Sequence, residues 1–309
     1  MTRVVLTGAT GMIGSAVCRA LVARGDQVVA LSRQPGRAES PLGEEVEVCA
    51  WPDPSSAPPP AATLSGADGV IHLLGEPVAQ RWSSEAKERI RNSRVLATRM
   101  LVAALRELPS DARPSTLISQ SATGYYGPAD DRELDETAPP GDDFLAQVVV
   151  EWEAEAHAAD DFLRVVTTRT GVVLSPSGGA LAQMLPFFRA GLGGPVAGGG
   201  QYVPWIHLDD VVGALLFCLD HAEASGPVNL TAPAPVTNGG LSRALGHGLH
   251  RPTVLPVPGF ALRLLYGEMA SIVVTGQRAV PERLRTLGFE FRHPELEPAL
   301  RDVLEARSR

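Results

Sequence analysis

Glycines 8, 11 and 14 in Thr7-Gly8-Ala9-Thr10-Gly11-Met12-Ile13-Gly14 have the spacing of a backbone that turns tightly and then receives an anion. Gly8 permits the turn, Gly11 lets a pyrophosphate approach the main chain, and Gly14 lets a helix pack closely on a sheet. The apolar run Val4-Val5-Leu6 precedes the motif and the amphipathic stretch from Ile13 to Leu21 follows it, so the local order is strand, turn, helix. Free N–H groups and the positive dipole end of that helix then supply the anion site. The pattern predicts a dinucleotide bound by Gly8, Thr10, Gly11, Met12, Ile13 and Gly14.

The end of the second strand separates the two nicotinamide cofactors, because an acid there binds a ribose 2′-hydroxyl and a base binds a 2′-phosphate. Here Leu31 is followed by Ser32 and Arg33, with no carboxylate beside them. Arg33 offers a planar donor fork to a phosphate and a face to adenine, so NADP(H) is the expected cofactor. The ends of later strands supply the rest of its crevice: Leu73, Leu74 and Gly75, then Ser119, then Arg169, Gly171 and Val172, with Arg94 beside them. Candidates for chemistry are Ser121, Tyr125 and Tyr126 on the loop leaving strand five and Glu76 at the end of strand four. Glu76, Trp82, Gln201, Trp205 and His207 are expected to face the substrate. His207 has a second reading as a strand-end histidine satisfying backbone groups, and Asp209-Asp210 as caps of the helix Val211–Leu219.

These residues need a scaffold. Apolar runs at Val4–Leu6, Val28–Leu31, Val46–Val48, Val70–Leu74, Thr116–Ser119 and Val165–Thr168 alternate with segments long enough for crossover helices. One helix is predicted from Ser83 through Ile90, Val95 and Leu101 to about Leu105, and another from Phe144 to Ala158. The proline-rich stretch from Trp51 to Pro60 reads as a surface loop. The fold class is therefore α/β, a Rossmann-type doubly wound parallel sheet with a smaller C-terminal substrate lobe. Residues 1–175, completed by about 205–221, form the NADP-binding domain, and 176–204 with 222–309 form the lobe.

Bulk properties narrow the partners. A net charge of −8 over 309 residues, without a Lys/Arg cluster, disfavours nucleic acid and anionic membranes and leaves a small-molecule substrate. Cys18, Cys49 and Cys218 form no CxxC pair and read as free thiols, with no metal site expected. The stretch Val211–Leu219 is too short to span a bilayer and no leader precedes the first strand, so a cytoplasmic protein is expected.

Three motifs carry a family resemblance: Thr7-Gly8-xx-Gly11-xx-Gly14, Ile118-Ser119-Gln120-Ser121-Ala122-Thr123-Gly124-Tyr125-Tyr126-Gly127, and Trp205-Ile206-His207-Leu208-Asp209-Asp210-Val211. Together they resemble an extended short-chain dehydrogenase/reductase of the NAD-dependent epimerase/dehydratase superfamily. Gly75-Glu76-Pro77-Val78-Ala79 with Arg81-Trp82, then Arg91-Asn92-Ser93-Arg94, is similar to the YfcH-like epimerase branch, and Pro256 to Leu304 resembles its C-terminal domain of unknown function. The resemblance implies an NADP(H)-dependent oxidoreductase or a nucleotide-sugar-epimerase-like enzyme, and a homodimer. Such enzymes use Ser, Tyr and Lys, with Tyr-x-x-x-Lys on a helix so that the lysine lowers the tyrosine pKa. Ser121 matches the serine, but Asp143 to Glu153 holds neither tyrosine nor lysine. A cofactor-binding sensor or regulator is therefore the alternative reading.

Overall fold

The computed structural model describes residues 2–306. In chain order, the first half runs β1 (Arg3–Thr7), α1 (Met12–Ala23), β2 (Gln27–Ser32), α2 (Pro35–Leu42), β3 (Val46–Ala50) and β4 (Gly69–His72). It continues through α3 (Ser84–Asn92), α4 (Val95–Glu107), β5 (Thr116–Ala122), α5 (Phe144–His157) and β6 (Arg164–Thr170). Then come α6 (Gly179–Arg189), α7 (Leu208–Asp220), β7 (Gly226–Leu230), α8 (Asn238–Leu249), α9 (Gly259–Tyr266) and α10 (Leu296–Ala306), with shorter pieces between them.

Seven parallel strands form one sheet in the order β7-β6-β5-β4-β1-β2-β3, which reverses direction between β1 and β4 as a doubly wound sheet requires. Strand side chains alternate between faces. Val4, Leu6, Val28, Ala30, Ile71 and Ile118 pack with Val17 and Leu21 of α1 and Val211 and Leu215 of α7. Their neighbours Val5, Val29, Leu31, Val70 and Leu117 pack with Leu101 and Leu105 of α4 and Ala156 of α5. Both faces are covered, which is why the strands read as continuous apolar runs. A separate lobe core joins Leu181, Leu185 and Phe188 of α6 to Leu241 and Leu245 of α8 and Ala299, Leu300 and Val303 of α10.

Three expectations need correction. The sheet takes a seventh strand from Gly226–Leu230, inside the stretch read as lobe; Gly226 and Pro227 interrupt its pattern, which an edge strand tolerates. The helix expected from Ser83 to Leu105 is two helices, α3 and α4. Ser83 does cap the first, accepting from the Ala86 N–H at 3.2 Å, but the helix breaks at Ser93-Arg94. There the Ser93 hydroxyl and the Arg94 guanidinium both donate to the Ile90 carbonyl, so side chains occupy the acceptor that a continuing helix would use. The Trp51–Pro60 loop is not wholly superficial: Pro54 and Pro59 are buried, and Trp51, 1% exposed, packs in the core and donates from its indole nitrogen to the Ala57 carbonyl at 2.7 Å. No helix among the described residues is long and apolar enough to cross a membrane.

One buried polar chain pins the sheet near its switch point. Thr7 Oγ1 accepts from the Leu73 N–H at 3.1 Å and lies 2.8 Å from His72 Nδ1. On the other side, Thr98 Oγ1 lies 3.1 Å from His72 Nε2 and accepts from the Trp152 indole at 2.9 Å. Burial pushes the His72 imidazole down from its ordinary 6.5 to about 4, because the charged form loses its water. Between those values the unfolded chain binds a proton that the native one does not. Stability is therefore full above pH 6.5 and falls as the pH drops toward 4, by about 3 kcal/mol from this residue. Denaturant unfolding across that window is expected to show wild type losing stability relative to His72→Gln; parallel pH profiles for the two proteins would contradict the assignment.

Candidate functional site

The turn after β1 is built as an anion cradle. Gly8 has φ +69°, and a Cβ there would lie 2.7 Å from the Leu73 carbonyl oxygen, so Leu73 and Leu74 run directly beside the turn. A Cβ on Gly14 would sit 2.1 Å from the Gly8 carbonyl oxygen; only hydrogen lets α1 come this close. Gly11 is the N-cap of α1, donates to the Gly8 carbonyl at 3.0 Å, and no side chain caps the helix. Thr10 and Gly11 are exposed and Met12 and Ile13 half-buried, which leaves the first-turn N–H groups facing an open crevice. The Met12 thioether packs against Gly178 on the loop that precedes α6, so the lobe covers one side of the cradle.

At the end of β2 the Ser32 hydroxyl accepts from the Gln34 N–H at 3.2 Å, and Arg33 stands exposed in solvent. Beyond β4, the Arg94 guanidinium lies flat beneath Gly75, where a Cβ would meet it at 3.1 Å. It also stacks 5.3 Å over Trp152, and burial lowers its pKa to about 10, partly offset by the Glu76 carboxylate. Glu76 is held by its own N–H donating to Ser93 Oγ at 3.0 Å and by Gln80 and Arg89 near its carboxylate. The break between α3 and α4 thus serves to place Ser93 and Arg94 under this strand end.

The loop leaving β5 is organised by a buried ion pair absent from the sequence reading. Glu153 on α5 receives Arg169 from β6 through two bonds of 2.9 Å, and the Ser121 hydroxyl donates to the same carboxylate at 2.6 Å. Arg169 also donates to Tyr126 Oη at 3.2 Å and to the Glu136 carbonyl. Tyr126 in turn donates to Asn229 Oδ1 at 2.7 Å. Burial raises the Tyr126 phenol to about 12, which makes it a weaker acid, and its hydroxyl is already engaged by Asn229 and Arg169. Tyr126 is thus held inside this buried network. Tyr125 is half-buried, with the Arg169 guanidinium 3.4 Å from its ring centre, and its hydroxyl has no partner among the described residues. Ser119 is buried beside Ser121, its carbonyl accepting from Thr168 Oγ1. Gly171 and Val172 meet the chain returning from the lobe: a Cβ on Gly171 would lie 2.0 Å from the Pro204 carbonyl oxygen, which accepts from the Val172 N–H at 2.6 Å.

No tyrosine or lysine enters from α5. Its residues nearest Gly124 are Leu145 and Val149, while Gln147 turns away to donate to the Asp142 carbonyl. Of the residues expected around substrate, Trp82 lines a cavity of about 460 Å³ with Asp143, Phe144, Arg263, Gly267, Glu268 and Ser271. Gln201 is a brace, donating to the Val196 and Val273 carbonyls at 3.0 Å each. Trp205 is no cleft wall: it is 1% exposed in the lobe core, with its indole bonded to the Ala234 carbonyl. His207, rather than the aspartates, caps α7, its Nδ1 accepting from the Asp209 N–H at 3.1 Å. Asp210 accepts from the Arg292 and His293 N–H groups. His207, Asp209 and His293 bring ligand-type atoms within 4.8 Å of one another, but the capping bond leaves the proton of neutral His207 on Nε2, facing Asp302. That tautomer offers no lone pair to a cation.

Breaking the ion pair should be costly. Glu153→Gln leaves Arg169 charged, buried and unmatched, and is expected to lower stability by about 3–5 kcal/mol in denaturant unfolding. Tyr125→Phe, which removes an unpartnered hydroxyl, should stay within about 0.5 kcal/mol of wild type. Similar losses for both would show that the pair does not hold the loop.

Residues 4–230 match the NAD dependent epimerase/dehydratase family, and residues 257–303 match a domain of unknown function, DUF1731. Epimerase family protein Mb2239 of Mycobacterium bovis is 43% identical over 300 residues, 96% of each chain. The chloroplastic SDR39U1 homologue of Arabidopsis thaliana is 39% identical, over 97% of this chain and 86% of that one. The crystal structure of human epimerase family protein SDR39U1 (isoform 2) with NADPH has a TM-score of 0.88 at 33% identity, covering 98% of this chain and 99% of that one. Since the family match spans the whole seven-stranded sheet and these relatives run nearly end to end with the chain, the protein belongs to the NAD dependent epimerase/dehydratase family.

Proposed function

We propose that this protein is an NADP(H)-dependent oxidoreductase, or an epimerase-like enzyme, acting on a small molecule in the crevice between the carboxyl ends of β4 to β6 and the lobe. The observation that carries the reading is the uncapped N-terminus of α1 facing an open cradle in which Gly8 and Gly14 leave no room for a Cβ. That cradle fits a pyrophosphate. Arg33, exposed at the end of β2 with no carboxylate beside it, fits a 2′-phosphate, and a relative sharing a third of the sequence was solved with NADPH. When bound, the cofactor supplies or accepts a hydride.

The protein's own groups hold the remaining tasks. The cradle N–H groups and Arg33 bind, Leu73, Leu74 and Gly75 form a wall, and Arg94 beneath Gly75 adds positive charge to that wall. Ser121 is positioned by Glu153 and accepts rather than donates toward the crevice, since its proton is committed to the carboxylate. The Tyr125 hydroxyl is left as the protic group of this loop, and Glu76 as the carboxylate nearest the opposite strand end. A cofactor-binding sensor is the second reading. It is favoured by the absence of tyrosine and lysine from α5, whose residues beside Gly124 are the hydrocarbon Leu145 and Val149.

Titration of NADPH and NADH by fluorescence is expected to show tighter NADPH binding. Arg33→Ala should weaken NADPH by about 1–3 kcal/mol and leave NADH unchanged, because only the 2′-phosphate makes the charge-assisted contact. Equal affinities in wild type, or equal losses in the variant, would remove the assignment to NADP(H). Carbonyl-dependent NADPH oxidation that falls in Tyr125→Phe would support the enzyme; tight cofactor binding with no turnover across a carbonyl panel would support the sensor.

A further inference from the structure

The cavity beside Trp82 is shaped for hydrocarbon. Trp82 and Phe144 meet edge to face with ring centres 5.2 Å apart. Its charged residues do not converge on an anion: Arg263 shares the lining with the carboxylates of Asp143 and Glu268. The nearby Lys87 is already ion-paired with Glu268 and lies 5.1 Å over the Phe144 ring. Asp143 accepts from the Ala146 N–H as the cap of α5, and the Ser271 hydroxyl donates to the Glu268 carbonyl, so these groups are engaged within the chain. A diphosphate placed here would meet two carboxylates and one unshared guanidinium.

The apolar lining extends both ways. On α9, residues 260, 263 and 264 fall on one face by helical spacing. Arg263 lines the cavity, and Phe260 and Leu264, 75% and 79% exposed on the same helical face, flank it outward. Inward, Phe144 is followed on α5 by Leu145, which with Val149 borders Gly124 on the loop leaving β5. A large apolar surface of this kind is unfavourable in water and is the usual mark of a binding groove.

We infer that the substrate of this crevice is an uncharged compound with an aromatic or aliphatic body, carried between Trp82, Phe144 and the α9 face, and not a nucleoside diphosphate sugar. The inference rests on the cofactor reading above only for which end of the ligand reacts. Its test uses prodan, a neutral naphthyl ketone whose emission shifts blue on leaving water, added to the protein with and without saturating NADP+. Saturable one-to-one binding is expected, weakened about tenfold or more by Phe144→Ser and by Leu264→Gln. NADP+ affinity should be unchanged in both variants, and excess UDP-glucose should not displace the probe. Displacement by UDP-glucose, or probe binding indifferent to both substitutions, would overturn the inference. So would a concentration-dependent dimer in sedimentation that Leu264→Gln abolishes while probe binding persists, since the face would then be an interface between copies. Failure of the cofactor reading is separate: NADP+ would not bind the wild type, whatever the probe does.

Discussion

Glu153 and Arg169 are a carboxylate and a guanidinium buried together, and neither is stable there without the other. Their pairing fixes α5 against β5 and β6, because Glu153 comes from the helix, Arg169 from one strand and Ser121 from its neighbour. Through Tyr126 the same network reaches Asn229 on β7, whose amide donates to the carbonyls of Leu134 and Val280. Glu136 completes the frame by accepting from the N–H groups of Asn229 and Arg283. The loop bearing Tyr125 and residues Val280 and Arg283 of the C-terminal domain are thus tied to one buried charge pair.

This arrangement bears directly on chemistry. A serine at the end of β5 is ordinarily valued for its free hydroxyl, yet here its proton points at a carboxylate 32 residues away. The consequence is a pre-oriented oxygen with lone pairs available and no hydrogen to give. Tyr126 is withdrawn for a similar reason, since its phenol is buried and fully bonded. What is left facing the crevice is sparse in acids and bases and rich in hydrocarbon.

The two ends of the crevice are therefore chemically opposed. Around Gly8 to Gly14 the backbone supplies uncancelled N–H groups and a helix dipole, an environment suited to phosphate oxygens. Beyond Gly124 the walls are Leu145, Val149, Phe144 and Trp82; Lys87 and Glu268 there are paired with each other, and the Arg263 guanidinium is accompanied by carboxylates. Such a gradient suits a long cofactor with its anionic part on α1 and its reactive part toward the apolar region.

The sequence by itself determined the glycine-rich turn before α1, the alternating strands and the absence of tyrosine and lysine from α5. Each depends on neighbours in the chain: a glycine is demanded by a local backbone angle or contact, and a period of two by a strand between two layers. Arg33 was legible for the same reason, since its place follows from the end of one strand. Only the tertiary structure decided that Ser121 bonds to Glu153, that Arg94 breaks a helix to lie under Gly75, that Trp205 is core and that His207 is a cap. The seventh strand and the cavity between Trp82 and Arg263 belong to the same class. A serine, histidine or tryptophan suits a site and a core equally well by type. For Ser121 and Trp205 the choice is set by partners tens of residues distant, brought near only when the layers pack, whereas the His207 cap is made locally and settles one of two readings its sequence allowed.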